Sequence, residues 1–299
     1  MILTLIVFLM TFPAFGQLHL LNAFPDKTNF AKFSLGYEDA EIEADTLNFA
    51  SYAKNDKNLI AKITYGRKLT ENSYALIELP YIYSEESSLK YGENSDEDFT
   101  SQGVREPTFG YSLRVKDKLD NGRYFTDLNI HYTPKIFEKT VGGHDANKYS
   151  GRHVIVTRIT TGALYDKYEA IIGAQATYNT KAKEDNLKSD VDYEFEPYFS
   201  SRAFISVQMA YHEDLFPFLT SGITFVEDYE VKGVNGQVTI QQGTGTFVEF
   251  GAKKLLKKGF AQLRFNYTSN DYFTESQQLG NFRGEFYQLG VQSSYTYEY

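Results

Sequence analysis

The stretch from Gly284 to Tyr299 constrains this chain most. Every second residue there is Tyr287, Leu289, Val291, Ser293, Tyr295, Tyr297 and Tyr299. The residues between them are Gln288, Gly290, Gln292, Ser294, Thr296 and Glu298. A period of two describes a β-strand with one apolar and one polar face. A surface strand of a soluble sandwich alternates in the same way, so the rest of the chain must decide which sheet this is.

The alternation recurs along the whole chain. It predicts about twelve strands, each near the 9–11 residues that a tilted strand needs to cross a bilayer. They fall near residues 31–42, 59–68, 73–84, 104–115, 123–135, 152–163, 167–180, 190–199, 203–213, 245–254, 260–268 and 284–299. In the seventh, Tyr168, Ala170, Ile172, Ala174, Ala176 and Tyr178 share a face with aromatics at both ends, as an interfacial girdle places them. The connections then alternate in length. Short ones fall at 69–72, 116–122, 164–166, 200–202 and 255–259, and long ones at 43–58, 85–103, 136–151, 181–189, 214–244 and 269–283. Outer-membrane barrels sort short periplasmic turns from long outer loops in this way, whereas a sandwich has no reason to. The expected fold is therefore all-β: a transmembrane antiparallel up-and-down β-barrel of about twelve strands over residues 31–299. Pro80, Pro107 and Pro197 fall inside expected strands and predict bulges or strand ends.

Composition agrees. Tyr and Phe number 24 each, which suits strands and aromatic girdles. The absence of cysteine excludes disulfides, thiol nucleophiles and thiolate metal sites. A net charge of −9 argues against nucleic acid as a partner.

Residues 2–10 are almost continuously apolar, and Ala14-Phe15-Gly16 follows with small residues. Residues 1–16 read as a signal peptide cut before Gln17, although no Lys or Arg precedes the apolar run. A membrane anchor is the alternative, but a spanning helix needs about 20 apolar residues. Residues 17–30 are expected to be an N-terminal segment, either a plug in the barrel or a periplasmic arm.

The second parity is polar. Charges cannot face lipid at the midplane, where each costs about 2–4 kcal/mol, so they are expected inside. Glu78, Glu106, Arg114, Asp127, Arg158, Glu194 and Arg264 are the candidate residues of a solute path, ordering water and selecting charge. Two readings stand: an ion-pair lattice that fills the interior, or a narrow aqueous path. Acids outnumber bases on this parity, with Asp192, Glu194 and Glu196 on one strand, so an open path is expected to prefer cations mildly.

Residues 284–299 resemble the closing strand of bacterial outer-membrane barrels, whose terminal aromatic helps the barrel assembly machinery recognise its substrate. Residues 79–134 resemble part of the transporter-type barrels named for the phenol meta-degradation pathway. The likeness lies in Leu79-Pro80-Tyr81, in Gly103-Val104-Arg105-Glu106-Pro107-Thr108-Phe109-Gly110-Tyr111, and in Pro134. That family usually carries Gly-Asp where this chain has Arg105-Glu106. The resemblance implies an outer-membrane channel for passive passage of small solutes, hydrophobic or aromatic ones among them. A non-conducting structural or surface-interaction barrel is the alternative.

A lipid-hydrolysing barrel would need an exterior Ser–His pair with an orienting amide or acid. His19, His131, His144, His153 and His212 show no convincing serine partner pattern, and no residue is assigned a catalytic or metal-binding role. The acidic run within 85–98 reads as a solvated loop, with divalent bridging to lipopolysaccharide as the other reading. The expected surroundings are outer-membrane lipid and lipopolysaccharide.

Overall fold

A computed structural model describes residues 28–46, 51–89, 96–119, 122–141, 146–165, 168–186, 191–233, 236–276 and 282–299. The expected signal peptide, and the expected N-terminal segment up to residue 27, lie outside the described residues.

The strands are β1 (Asn29–Thr46), β2 (Ser51–Thr70), β3 (Ser73–Leu89), β4 (Asp96–Val104), β5 (Thr108–Leu119), β6 (Gly122–Thr133), β7 (Lys139–Val141), β8 (Val154–Tyr165) and β9 (Tyr168–Asn179). They continue as β10 (Ala182–Asn186), β11 (Val191–Phe195), β12 (Tyr198–Met209), β13 (Leu215–Val226), β14 (Tyr229–Gly233), β15 (Gly236–Leu256), β16 (Gly259–Ser276) and β17 (Phe282–Glu298). All belong to one sheet. β1 pairs antiparallel with both β2 and β17, from Phe30 opposite Glu298 to Thr46 opposite Phe282 on the closing side. The sheet therefore has no free edge. β4 and β5 are two halves of one stave, and β7, β10, β11 and β14 lie beyond the wall, which leaves a closed barrel of twelve antiparallel staves.

Alternation carries the wall. Ile63, Val115, Ile172, Ile205 and Leu289 point outward, each about 60% exposed. On β6 the outward Tyr124 and Tyr132 stand eight residues apart, about 26 Å along the strand at 3.3 Å per residue. That spacing suits an apolar band about 25 Å tall between aromatic girdles. Inside, the same rows hold Ser34, Thr64, Ser112, Arg114, Asp127, Thr160 and Gln208, all buried.

Inward phenylalanines face glycines on neighbouring staves. Phe30 lies opposite Gly66, Phe125 opposite Gly162, Phe218 opposite Gly251, and Phe204 opposite both Gly173 and Gly222. A β-carbon at Gly66 would stand 2.1 Å from the Phe30 ring, and one at Gly162 would stand 2.4 Å from Phe125. The missing side chains are the space in which the rings lie flat against the wall.

Several expectations need correction. The expected strands at 190–199 and 203–213 do not each form a stave. Glu196-Pro197 breaks the first, leaving β11 as an extension and joining its end to β12. The missing stave is β13, inside the expected loop 214–244. The total of about twelve agrees because the two errors cancel. Much of the expected long-loop chain at 43–58, 85–103 and 269–283 is also strand: β1 reaches Thr46, β3 reaches Leu89, and β16 reaches Ser276. Beyond the lipid band nothing requires an outward apolar row, so apolar alternation has no cause to persist in these extensions. In the expected tenth strand the ladder with β16 continues past Gly245 through a bulge at Gln242/Gly245.

Pro107 ends the break Arg105–Glu106–Pro107 between β4 and β5. Pro80 faces that break from β3. Its carbonyl accepts from the Arg105 N–H at 2.9 Å, while its missing donor points where the neighbouring ladder is interrupted.

Candidate functional site: the lumen

The barrel encloses a cavity of about 500 Å³. Four of the seven residues expected on a solute path line it: Glu78, Asp127, Arg158 and Arg264. The other three sit elsewhere in the polar interior or beyond it.

Arg114 belongs to a packed polar region toward the short turns. Its Nε and Nη2 donate to the two carboxylate oxygens of Asp127 at 2.6 and 2.5 Å, and the pair is almost wholly buried. The guanidinium lies 4.6 Å from the centroid of Phe125. Glu169, Gln208, Phe216 and Lys253 are buried in the same half of the barrel. These side chains pack the lumen near the short turns, with Asp127 at the edge of the cavity, which is lined from staves all round the barrel and passes Phe30, Phe260 and Thr296.

Glu106 belongs to the opposite mouth. It is fully buried, and its carboxylate accepts from the Ser150 N–H at 2.8 and 3.0 Å and from the Ser150 hydroxyl at 2.9 Å. Ala146, Ser150 and Gly151 are buried with it. The connection between β6 and β8 is thus folded over the barrel rather than free. It is held a second time where β7 pairs in parallel with β10 and Lys139 reaches Glu184 at 2.6 Å.

Glu194 lies on β11, beyond the wall, and is ion-paired with Lys181. Its neighbour Glu196 accepts from Lys232 on β14 at 2.7 Å. The hydrogen bond from Lys232 holds the Glu196 carboxyl below the usual carboxylate range, and the same bond raises the Lys232 ammonium above its ordinary value. These acids brace the extensions and do not line the cavity.

Around the cavity, charges sort by partner. Lys62 holds Glu78 at 3.0 Å, Arg114 holds Asp127, and Arg264 holds Glu249 at 3.3 Å. Arg264 also donates to Gln292. Lys32, Arg158 and Arg202 line the cavity and have no carboxylate within ion-pair distance among the described residues. Arg158 lies 4.6 Å from the centroid of Phe204, and Arg202 lies 4.3 Å from that of Phe247. Lys32, Arg202, Phe204 and Phe247 are absent from the sequence-derived path. Arg202 falls in an expected turn, and the phenylalanines are apolar residues on the polar parity. The signal that could have found them is a glycine opposite each ring.

No protein-family model matches the sequence, and no curated protein matches it either. Among solved structures, the barrel is similar to the COG4313 outer membrane channel from Pseudomonas putida F1. The TM-score is 0.61 at 11% identity, over 94% of this chain and 100% of that one. The protein shares the fold of a bacterial outer-membrane barrel. Fainter likenesses are to the transport unit of the autotransporter AIDA-I from Escherichia coli (TM-score 0.49, 9% identity, 94% and 93% covered) and to the Pseudomonas putida toluene transporter TodX (TM-score 0.42, 10% identity, 92% and 91% covered).

Proposed function

We propose that the protein is an outer-membrane channel for passive passage of small solutes, including hydrophobic and aromatic ones. The observation that carries this reading is the cavity of about 500 Å³ inside a closed wall, lined by both phenyl rings and charged groups. Ligand pockets are typically about 300–1,000 Å³ and mix apolar walls with a few placed polar groups. One solved barrel that shares the fold is named a channel, which agrees with this reading. The short motifs around Pro80 and Pro107, similar to those of the phenol meta-degradation barrels, fit the same role.

The reading includes export through residues 1–16 as a signal peptide, insertion by the barrel assembly machinery through β17, and lipopolysaccharide around the outer rim. It assigns no catalytic residue. Liposome swelling with solutes of graded size tests it. Entry of small solutes is expected, faster when the Glu106–Ser150 cap is loosened by Glu106→Ala. No entry in either protein would leave the non-conducting barrel, which the packed Arg114–Asp127 region of the lumen favours.

A further inference from the structure

Strand register brings three inward side chains into one row. Arg158 on β8 stands opposite Gln175 on β9, and Gln175 stands opposite Arg202 on β12. The two arginine α-carbons are two strand spacings apart, about 10 Å. Both guanidiniums line the cavity, and so does the Gln175 amide between them.

The arginines are unusual among the interior cations. Lys62, Arg114 and Arg264 each hold a carboxylate, but Arg158 and Arg202 hold none among the described residues. The Arg158 Nε is buried without a hydrogen-bond partner. Each guanidinium is instead seated against a phenyl ring, which fixes its plane and leaves its N–H edge for another acceptor. A planar fork held in this way is matched to a carboxylate, which accepts two parallel N–H bonds. Two like charges on one row repel until an anion lies between them. Glu249 lines the same cavity but is engaged by Arg264.

Apolar wall adjoins this row. Val156 lies two residues along β8 from Arg158 on the same inward face, and Leu76 and Tyr74 line the cavity from β3. A bare inorganic ion would leave that wall uncovered. We propose that Arg158 and Arg202, aligned through Gln175, form a lumenal binding site for a small organic carboxylate with an apolar, ring-sized body. This rests on the solute-channel reading and names the solute class that the channel selects.

Isothermal titration of the folded barrel in detergent, with benzoate, benzamide and inorganic phosphate as probes, tests the site. Benzoate is expected to bind at least tenfold more tightly than either of the others. The Arg158→Gln/Arg202→Gln protein, shown to be folded by its heat-modifiable gel mobility, is expected to bind benzoate at least tenfold more weakly. The Arg158→Lys/Arg202→Lys protein keeps the charge without the fork and is expected to fall between. Equal binding of benzoate and phosphate, unchanged binding by the glutamine variant, or no benzoate binding by the native barrel overturns the proposal. Swelling assays on the same proteins separate the two readings: binding without solute entry removes the channel and keeps the site, and entry without binding does the reverse.

Discussion

Asp127→Ala is the sharpest probe of whether the packed region of the lumen is dry. In the native barrel Arg114 and Asp127 form a two-bond pair at 2.5 and 2.6 Å, with 0% and 5% of their side chains exposed. Removing the carboxylate leaves a guanidinium that is buried in the native barrel, seated on Phe125, with two of its donors stripped of their acceptors. Breaking a buried pair from one side costs about 3–5 kcal/mol, because the remaining charge stays desolvated. At about 1.4 kcal/mol per decade, the folded-to-unfolded ratio should fall by roughly two to nearly four decades. The Arg114→Met/Asp127→Leu protein removes both charges at similar volume and should recover most of that loss, since a buried pair and its apolar replacement are often near balance.

Reversible urea unfolding in lipid vesicles, followed by tyrosine fluorescence, measures both variants. A loss below about 1 kcal/mol for Asp127→Ala would mean that water reaches Arg114, a value typical of exposed pairs. The packed region around Arg114 would then be wet, and its separation from the cavity would be wrong. An apolar double variant no more stable than the single one would also count against it, because the packing around Phe125 and not the stranded charge would then carry the cost.

Three further expectations follow from the same geometry. Glu106→Ala removes the three hydrogen bonds between Glu106 and Ser150, so proteolysis within 146–151 and liposome swelling should both rise several-fold. Lys32, Arg158 and Arg202, which hold no carboxylate among the described residues, should give the native channel an anion-leaning reversal potential under a KCl gradient, and Arg158→Gln/Arg202→Gln should move it toward cations; a cation-selective native channel would restore the expectation from the acid count. The Glu196–Lys232 contact should be protective over a broad plateau, from about pH 5 to 10. Glu196 titrates below its ordinary value, so the contact is present above that value and is lost as pH falls through the lowered one; Lys232 titrates above its own, so the contact is lost as pH rises through the raised one. Hydrogen-exchange protection factors in β11 and β14, corrected for the pH dependence of intrinsic exchange, should be highest across that plateau and fall on both sides.

The wall was legible because lipid imposes a rule on every second residue. Ile172, Ile205 and Leu289 face outward as their parity requires, and the terminal stretch closes the barrel against β1. Where that rule stops, so does the reading. Above the girdle, the parity of β1 that carries Phe33, Leu35 and Tyr37 turns to Asp39, Glu41, Glu43 and Asp45, so the lipid rule no longer marks the strand and the segment looks like loop. In β13, Leu215-Phe216-Pro217-Phe218-Leu219 is apolar on both parities because Phe216 and Phe218 pack inside, so the two-residue period vanishes. Among the lumenal residues, parity alone separated inside from outside but not cavity from cap or packed core. Glu78, Arg114 and Glu106 share a parity rule and occupy three different places, because their neighbours are set by register across staves far apart in sequence.

That dependence on register yields a test in which no charge is altered. Gly173 stands opposite Phe204, and a β-carbon there would lie 2.3 Å from the ring Cζ and 2.8 Å from the Thr160 methyl. Gly173→Ala must therefore push Phe204 off the wall, and overpacking of this kind costs about 1–3 kcal/mol. The displaced ring no longer supports Arg158, whose guanidinium rests 4.6 Å from its centroid. Benzoate affinity should drop several-fold although Arg158, Gln175 and Arg202 are all intact. Phe204→Ala should lower it as well, and Gly173→Ala/Phe204→Ala should bind no worse than Phe204→Ala alone, since both changes act through the ring. Native affinity in a Gly173→Ala barrel that has lost stability would show that the ring packs the wall without setting the guanidinium plane, and the phenyl seat would drop out of the recognition mechanism.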